Sequence, residues 1–140
     1  MRRRQISASN AVVNAAEQVC MLYGVRSYRQ NSGAMMIPDA ESPGRMRPMA
    51  MGQWRDRFGI LHTRGKADLL ITPCIYVPGP IHHVPICLVL WCECKSGTGR
   101  LKPDQILFRD DVLDAGAFYL QINDSAEELL RWFEAHGVKR

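Results

Sequence analysis

A chain of 140 residues, 46% of them apolar, can bury a sizeable core and is read as a single domain over 1–140 rather than as a disordered segment. None of its apolar runs approaches the roughly 20 residues that span a bilayer, so no membrane partner is expected. The net charge of +4 excludes little by itself, and its distribution says more.

The start, Met1-Arg2-Arg3-Arg4, is basic but leads into no apolar stretch, so a secretory signal is not expected and the cytoplasm is. From Ser9 to Tyr23, Val12, Ala16, Val19, Cys20 and Tyr23 recur at helical spacing, and Gly24 is placed to end the helix. Val25 to Gln30 reads as a short strand. Asn31 to Gly52, rich in Gly, Pro and Met, reads as a long loop, and residues 31–66 together as a long basic loop region. Trp54 to Leu61 reads as a further short strand. Within the tract, Arg45, Arg47, Arg55, Arg57, Arg64 and Lys66 face only Asp56, a balance that suits a polyanionic partner.

Ala67 to Thr72 and Ile86 to Lys95 are the strongest strands. Pro73, Pro78, Pro80 and Pro85 between them predict an elaborated hairpin. Pro103 opens a helix that runs to about Ala115 before Gly116. Ala117 to Ile122 reads as a buried strand. Ser125-Ala126-Glu127-Glu128 reads as a capping box, with Ser125 as cap and Glu128 reaching back. Ala126, Leu129, Leu130 and Phe133 then form one helical stripe. This order predicts an α/β sandwich around a small mixed sheet. Neither a G-x-x-x-x-G-K-[ST] nor a G-x-G-x-x-G loop occurs, so nucleotide-binding loops are not expected.

Cys20, Cys74, Cys87, Cys92 and Cys94 include no C-x2-C pair. Cys92 and Cys94 are read as sending one thiol to each strand face, poor geometry for zinc, so reduced thiols are expected. His62, His82 and His83 are read as loop residues.

The chemistry concentrates where the second strong strand ends. Glu93 and Lys95 are two apart, so in an extended strand both project from one face, and Asp68 stands at the mouth of the other strong strand. Two carboxylates and an ammonium at one sheet edge form a candidate divalent-cation site for phosphodiester hydrolysis. Gln105 precedes Phe108 and Val112 by three and seven residues, which puts it on an inward stripe of its helix, able to reach back to Lys95.

Asp68, Glu93-x-Lys95 and the helical Gln105 resemble the PD-(D/E)XK nuclease superfamily. More closely, Gly65-Lys66-Ala67-Asp68, Glu93-Cys94-Lys95-Ser96-Gly97, Gly99-Arg100-Leu101 and Gln105 resemble the VRR-NUC (virus-type replication-repair nuclease) family. Gly116-Ala117-Phe118-Tyr119, Ser125-Ala126-Glu127-Glu128 and Arg29-Gln30-Asn31-Ser32-Gly33 are similar as well. The resemblance implies a restriction-endonuclease-like fold and a Mg2+- or Mn2+-dependent DNA endonuclease acting on branched or flapped DNA, often as a homodimer. It assigns metal ligation to Asp68, Glu93 and the Cys94 backbone carbonyl, and catalysis to Asp68, Glu93, Lys95 and Gln105. Arg55, Arg57, Arg64, Lys66, Arg100 and Lys102 are the candidates for following DNA phosphates.

The family also carries a glutamate near the start of its first helix. Here that position falls at Ser9 to Ala11, where no acid stands. Asn10 replaces it, Glu17 serves from two turns further along as an additional metal ligand, or the ligand is missing. The rival function, a non-catalytic nucleic-acid-binding module that keeps the fold, draws on this gap; a redox or zinc protein would draw on the cysteines. Met46, Met49, Met51, Trp54 and Phe58 are expected to contribute to a homodimer interface or to pack on their own domain.

Overall fold

The computed structural model describes residues 7–30 and 33–140. Helix α1 (Ala8–Leu22) is followed by β1 (Arg26–Arg29), β2 (Gly33–Pro38), β3 (Met46–Met51), β4 (Trp54–Arg55), β5 (Leu61–His62), β6 (Leu69–Thr72), β7 (Cys74–Val77), β8 (Val84–Cys87) and β9 (Leu90–Lys95). Helix α2 (Pro103–Asp114), β10 (Phe118–Asn123) and α3 (Glu127–Ala135) complete the order. The protein is mixed α/β, and among the described residues no helix is long and apolar enough to cross a membrane.

One four-stranded sheet, ordered β1-β6-β9-β10, carries the architecture. β6 runs antiparallel to both β1 and β9, whereas β10 is parallel to β9. A parallel pair needs a crossover, and α2 supplies it. The Ser7 hydroxyl caps α1 by accepting from the Asn10 N–H, and Gly24 takes the left-handed conformation past its end. Val12, Val13, Ala16 and Cys20 of α1 pack with Leu129 and Phe133 of α3 onto Leu69, Ile71, Leu90, Cys92, Cys94 and Ile122. On the opposite face Phe108 and Val112 of α2 pack with Ala67, Trp91 and Tyr119. Each fully buried Leu, Ile or Phe contributes roughly 1.5–3 kcal/mol by leaving water.

Strand parity distributes β9 between these two cores. Leu90, Cys92 and Cys94 face α1, and Trp91, Glu93 and Lys95 face α2. Cys92 and Cys94 therefore share a face, a correction to the opposite-face reading. All five cysteines are free.

Several other expectations need correcting. Residues 33–51 form an antiparallel ribbon, β2 with β3, where a long loop is predicted; Asn31 and Ser32 of the Arg-x-Asn-Ser-Gly turn lie outside the described residues. Prolines misled that reading: in a two-stranded ribbon each strand has one unpaired edge, so Pro48 can sit opposite Met36 without breaking a ladder. The single strand predicted over 54–61 is instead two short strands, β4 and β5, joined by a turn in which Gly59 has φ +78°. The strand predicted over Ile86 to Lys95 is interrupted at Leu88 and Val89 into β8 and β9, which pair with β7 and β6 in one continuous antiparallel register, so the predicted hairpin is present, and β9 pairs with β10 as well. Helix α3 starts at Glu127, one residue late for a Ser125 box, and the Ser125 hydroxyl accepts from the Glu127 N–H. The chain leaves β10 through Asp124, which has φ +62°, and that tight turn displaces the helix start.

Candidate active site

The antiparallel register Leu69↔Cys92 brings Asp68, the residue before β6, alongside Glu93. β6 stops pairing there, so the β6-facing edge of Cys94 is open. The Cys94 N–H donates to Asp68 Oδ2 at 2.8 Å. The N–H and C=O of one residue in an antiparallel strand leave the same edge, which aims the Cys94 carbonyl at the same opening.

From the other side α2 delivers Gln105. Its Nε2 donates to Glu93 Oε1 at 2.7 Å, and its Oε1 accepts from Lys95 Nζ at 2.9 Å and from the Lys102 N–H at 2.9 Å. Lys95 Nζ also lies 3.1 Å from Glu93 Oε1. The last bond ties the Gln105 amide to the N-cap of its own helix, which orients the side chain before any ligand arrives.

An open cavity of about 400 Å3 is lined by Ser9, Asp68, Glu93, Cys94, Lys95, Ser96, Gly99, Arg100 and Lys102. Glu93 is only 3% exposed, and its Oε2 is buried without a partner. Burial first, and then the nearby Asp68 charge, pushes its carboxyl up to about 7, with Lys95 pulling the other way. Burial also raises Asp68, opposed by the Cys94 amide and by Lys95 and Arg29. Two desolvated carboxylates competing for ionisation, one with an orphaned oxygen, form a hard oxygen donor set that suits a divalent cation. Among the described residues no group of three or more His, Cys, Asp and Glu side chains gathers as a metal site, so these two carboxylates and the Cys94 carbonyl are the donors on offer.

Glu17 does not line this cavity. Its carboxylate takes Arg29, with Nη2 to Oε2 at 2.7 Å, and Arg29 also donates to Asn14. Ser9 lines the cavity instead, inside the stretch where the resemblance calls for an acid. The basic tract also disperses. Arg55 donates to the Gly59 carbonyl, Arg57 pairs with Asp114, and Lys66 lies 5.7 Å over the Trp91 ring. The Arg64 carbonyl accepts from the Trp54 indole. None of these four lines the cavity, whereas Arg100 and Lys102 do.

Trp54 stacks on His62 and meets Phe108 edge-on, so it holds the β4–β5 ribbon against α2. A second cavity of about 320 Å3 there is lined by Asp56, Asp110, Asp111 and Asp114. Its carboxylates are engaged: Asp56 by His62, Asp111 by the Arg57 N–H, Asp114 by Arg57 and Asp110 by Arg109. Sequence reasoning missed Ser9 and Ser96 as cavity-lining residues. It also missed Gln121 and Asn123, which share the Glu93 face of the sheet through the parallel register Gln121↔Glu93 and Asn123↔Lys95. Alternate polar positions at the end of an apolar strand were the available signal. No family model, curated protein or solved structure matches the chain.

Proposed function

We propose that this chain is a metal-dependent DNA endonuclease with a restriction-endonuclease-like fold, as its resemblance to the VRR-NUC family implies. The observation that carries the reading is the orphaned, buried Glu93 Oε2 beside Asp68, with Lys95 held on the same face by Gln105. Asp68, Glu93 and the Cys94 carbonyl would hold Mg2+ or Mn2+, which supplies a Lewis acid for a phosphate oxygen and lowers the pKa of bound water.

The protein's own groups supply the rest. Lys95, bonded to Glu93 Oε1 and Gln105 Oε1, keeps its ammonium at the cavity wall, where it offsets negative charge gathering on the cut phosphate. Gln105 does not titrate, so its part is to orient Glu93 and Lys95. Arg100 and Lys102 give the cavity rim a positive field that favours a polyanion. Branched or flapped DNA is the substrate class the resemblance implies, with two copies needed for paired cuts because the described residues of each copy hold one such site.

The rival reading, a DNA-binding module without cleavage, is favoured by Ser9 standing at the cavity in place of an acid. Digestion of single-stranded, duplex, flap and four-way DNAs with Mg2+ or Mn2+ separates the two. Cleavage by the wild-type protein, lost in Asp68→Ala and Glu93→Ala while circular dichroism is unchanged, supports the nuclease. Binding without cleavage of any substrate supports the module, and full activity in either variant refutes the site.

A further inference from the structure

The turn from β9 to α2 is held by side chains of the neighbouring strand. Gln121 Nε2 donates to the Gly99 carbonyl at 3.0 Å, and Asn123 Nδ2 donates to the Gly97 carbonyl at 3.0 Å. Asp124 Oδ1 accepts from the Gly97 N–H at 2.5 Å, while the Asp124 N–H donates to the Lys95 carbonyl at 2.9 Å. Asp124 adopts φ +62°, an unfavourable conformation for a residue with a side chain, held here by bonds at both its backbone and its carboxylate. A Cβ on Gly99 would sit 3.1 Å from Lys95 Cβ, so the turn closes directly onto the lysine.

What this clamp presents is Arg100 and Lys102 at the cavity, and among the described residues neither pairs with a carboxylate. We propose that Gln121, Asn123 and Asp124 are positioning residues that hold the Ser96–Lys102 turn as a preformed arm, through which Arg100 and Lys102 meet the DNA phosphates beside the one being cut. A flexible arm would have to be ordered on binding; here that ordering cost is met during folding. Arginine suits the task because its planar fork matches a phosphate. The inference rests on the nuclease reading and assigns its substrate grip.

Fluorescence anisotropy with a labelled duplex in EDTA, where no metal supports cleavage, tests it by a double-mutant cycle. Arg100→Ala should weaken binding about tenfold, the size of one charge-assisted contact, and lower the salt slope by about 0.9. Asn123→Ala should weaken binding several-fold and lower the slope by part of the same ~0.9, and Arg100→Ala should cost only about twofold in that background. Asp124→Asn, which keeps an acceptor oxygen, should retain the affinity that Asp124→Ala loses. Hydrogen exchange at Gly97 should quicken in Asp124→Ala while the core amides stay protected.

Additive losses, or unchanged Gly97 exchange, overturn the arm while leaving the nuclease standing if the wild-type protein still cuts. A wild-type protein that neither binds nor cuts DNA overturns both.

Discussion

Replacing Glu93 by Gln in metal-free protein should change how stability depends on pH. The Glu93 carboxyl ionises near 4.5 in the unfolded chain and near about 7 in the folded one, because folding strips it of water beside Asp68. Below 4.5 both states are protonated and burial carries no ionic penalty. Between the two values the folded state holds a proton that the unfolded state has lost, so stability falls as pH rises and the loss is complete above about 7. At about 1.4 kcal/mol per pH unit, this group alone removes about 3 kcal/mol. Gln keeps an oxygen for Gln105 and Lys95 and cannot ionise, so the variant should escape the loss. Urea denaturation in EDTA at pH 4.5 and at about pH 8 measures it: relative to wild type, Glu93→Gln should gain up to about 3 kcal/mol at the higher pH. Asp68, raised for the same reason, leaves a smaller slope of the same sign in the variant. Adding Mn2+ at the higher pH should stabilise the wild type by mass action and the variant far less. A wild-type-to-variant difference that is the same at both pH values would refute the burial argument.

Gly65→Ala tests the docking of the Asp68 segment, because a Cβ at Gly65 would stand 2.2 Å from the Asp104 carbonyl oxygen with φ at +94°. Overpacking and backbone strain together should cost about 3 kcal/mol, visible as a Tm lower by roughly 10 °C; an unchanged Tm would mean that α2 yields freely. Arg57→Ala should leave the salt dependence of duplex binding at its wild-type slope, since Arg57 is already spent on Asp114; a slope lower by about 0.9 would show that it reaches a phosphate. If two copies act together, the exposed Met36 and Met46 of the β2–β3 ribbon are the apolar material for their contact. Met36→Lys with Met46→Lys should then shift sedimentation at micromolar concentration to the monomer. A wild-type monomer that still makes paired cuts refutes the two-copy proposal.

The parts of the fold that were legible are those whose periodicity is enforced by a buried face. α1 shows the 3.6-residue pattern because Val12, Ala16 and Cys20 all meet the sheet. Gln105, Phe108 and Val112 align for the same reason, although α2 as a whole is polar. Illegible parts depend on partners distant in the chain. Nothing inside the run Ile86–Trp91 marks the break between β8 and β9, across which the antiparallel register continues, with Cys74 opposite Cys87, Ile71 opposite Leu90 and the Leu88 N–H donating to the Pro73 carbonyl between them. The clustering of arginines over 45–66 also says little about where they point. Arg57 finds its carboxylate at Asp114, a long way along the chain, and a local count of charges cannot anticipate that pairing.

The candidate site divides along the same line. A strand period of two is enough to put Glu93 and Lys95 on one face, and a helix period is enough to aim Gln105 at them. Neither period reports which oxygen is left without a donor. That follows only when Gln105 and Lys95 both settle on Glu93 Oε1 while Asp68 is occupied by the Cys94 amide. The orphaned Oε2 is thus a property of the assembled network, as is the Gln121–Asn123–Asp124 clamp on the turn beyond Lys95. Both come from β9 lying between β6 and β10. Its β6 edge opens early to leave room for Asp68 and a ligand, and its β10 edge stays paired to its end to hold the turn above them.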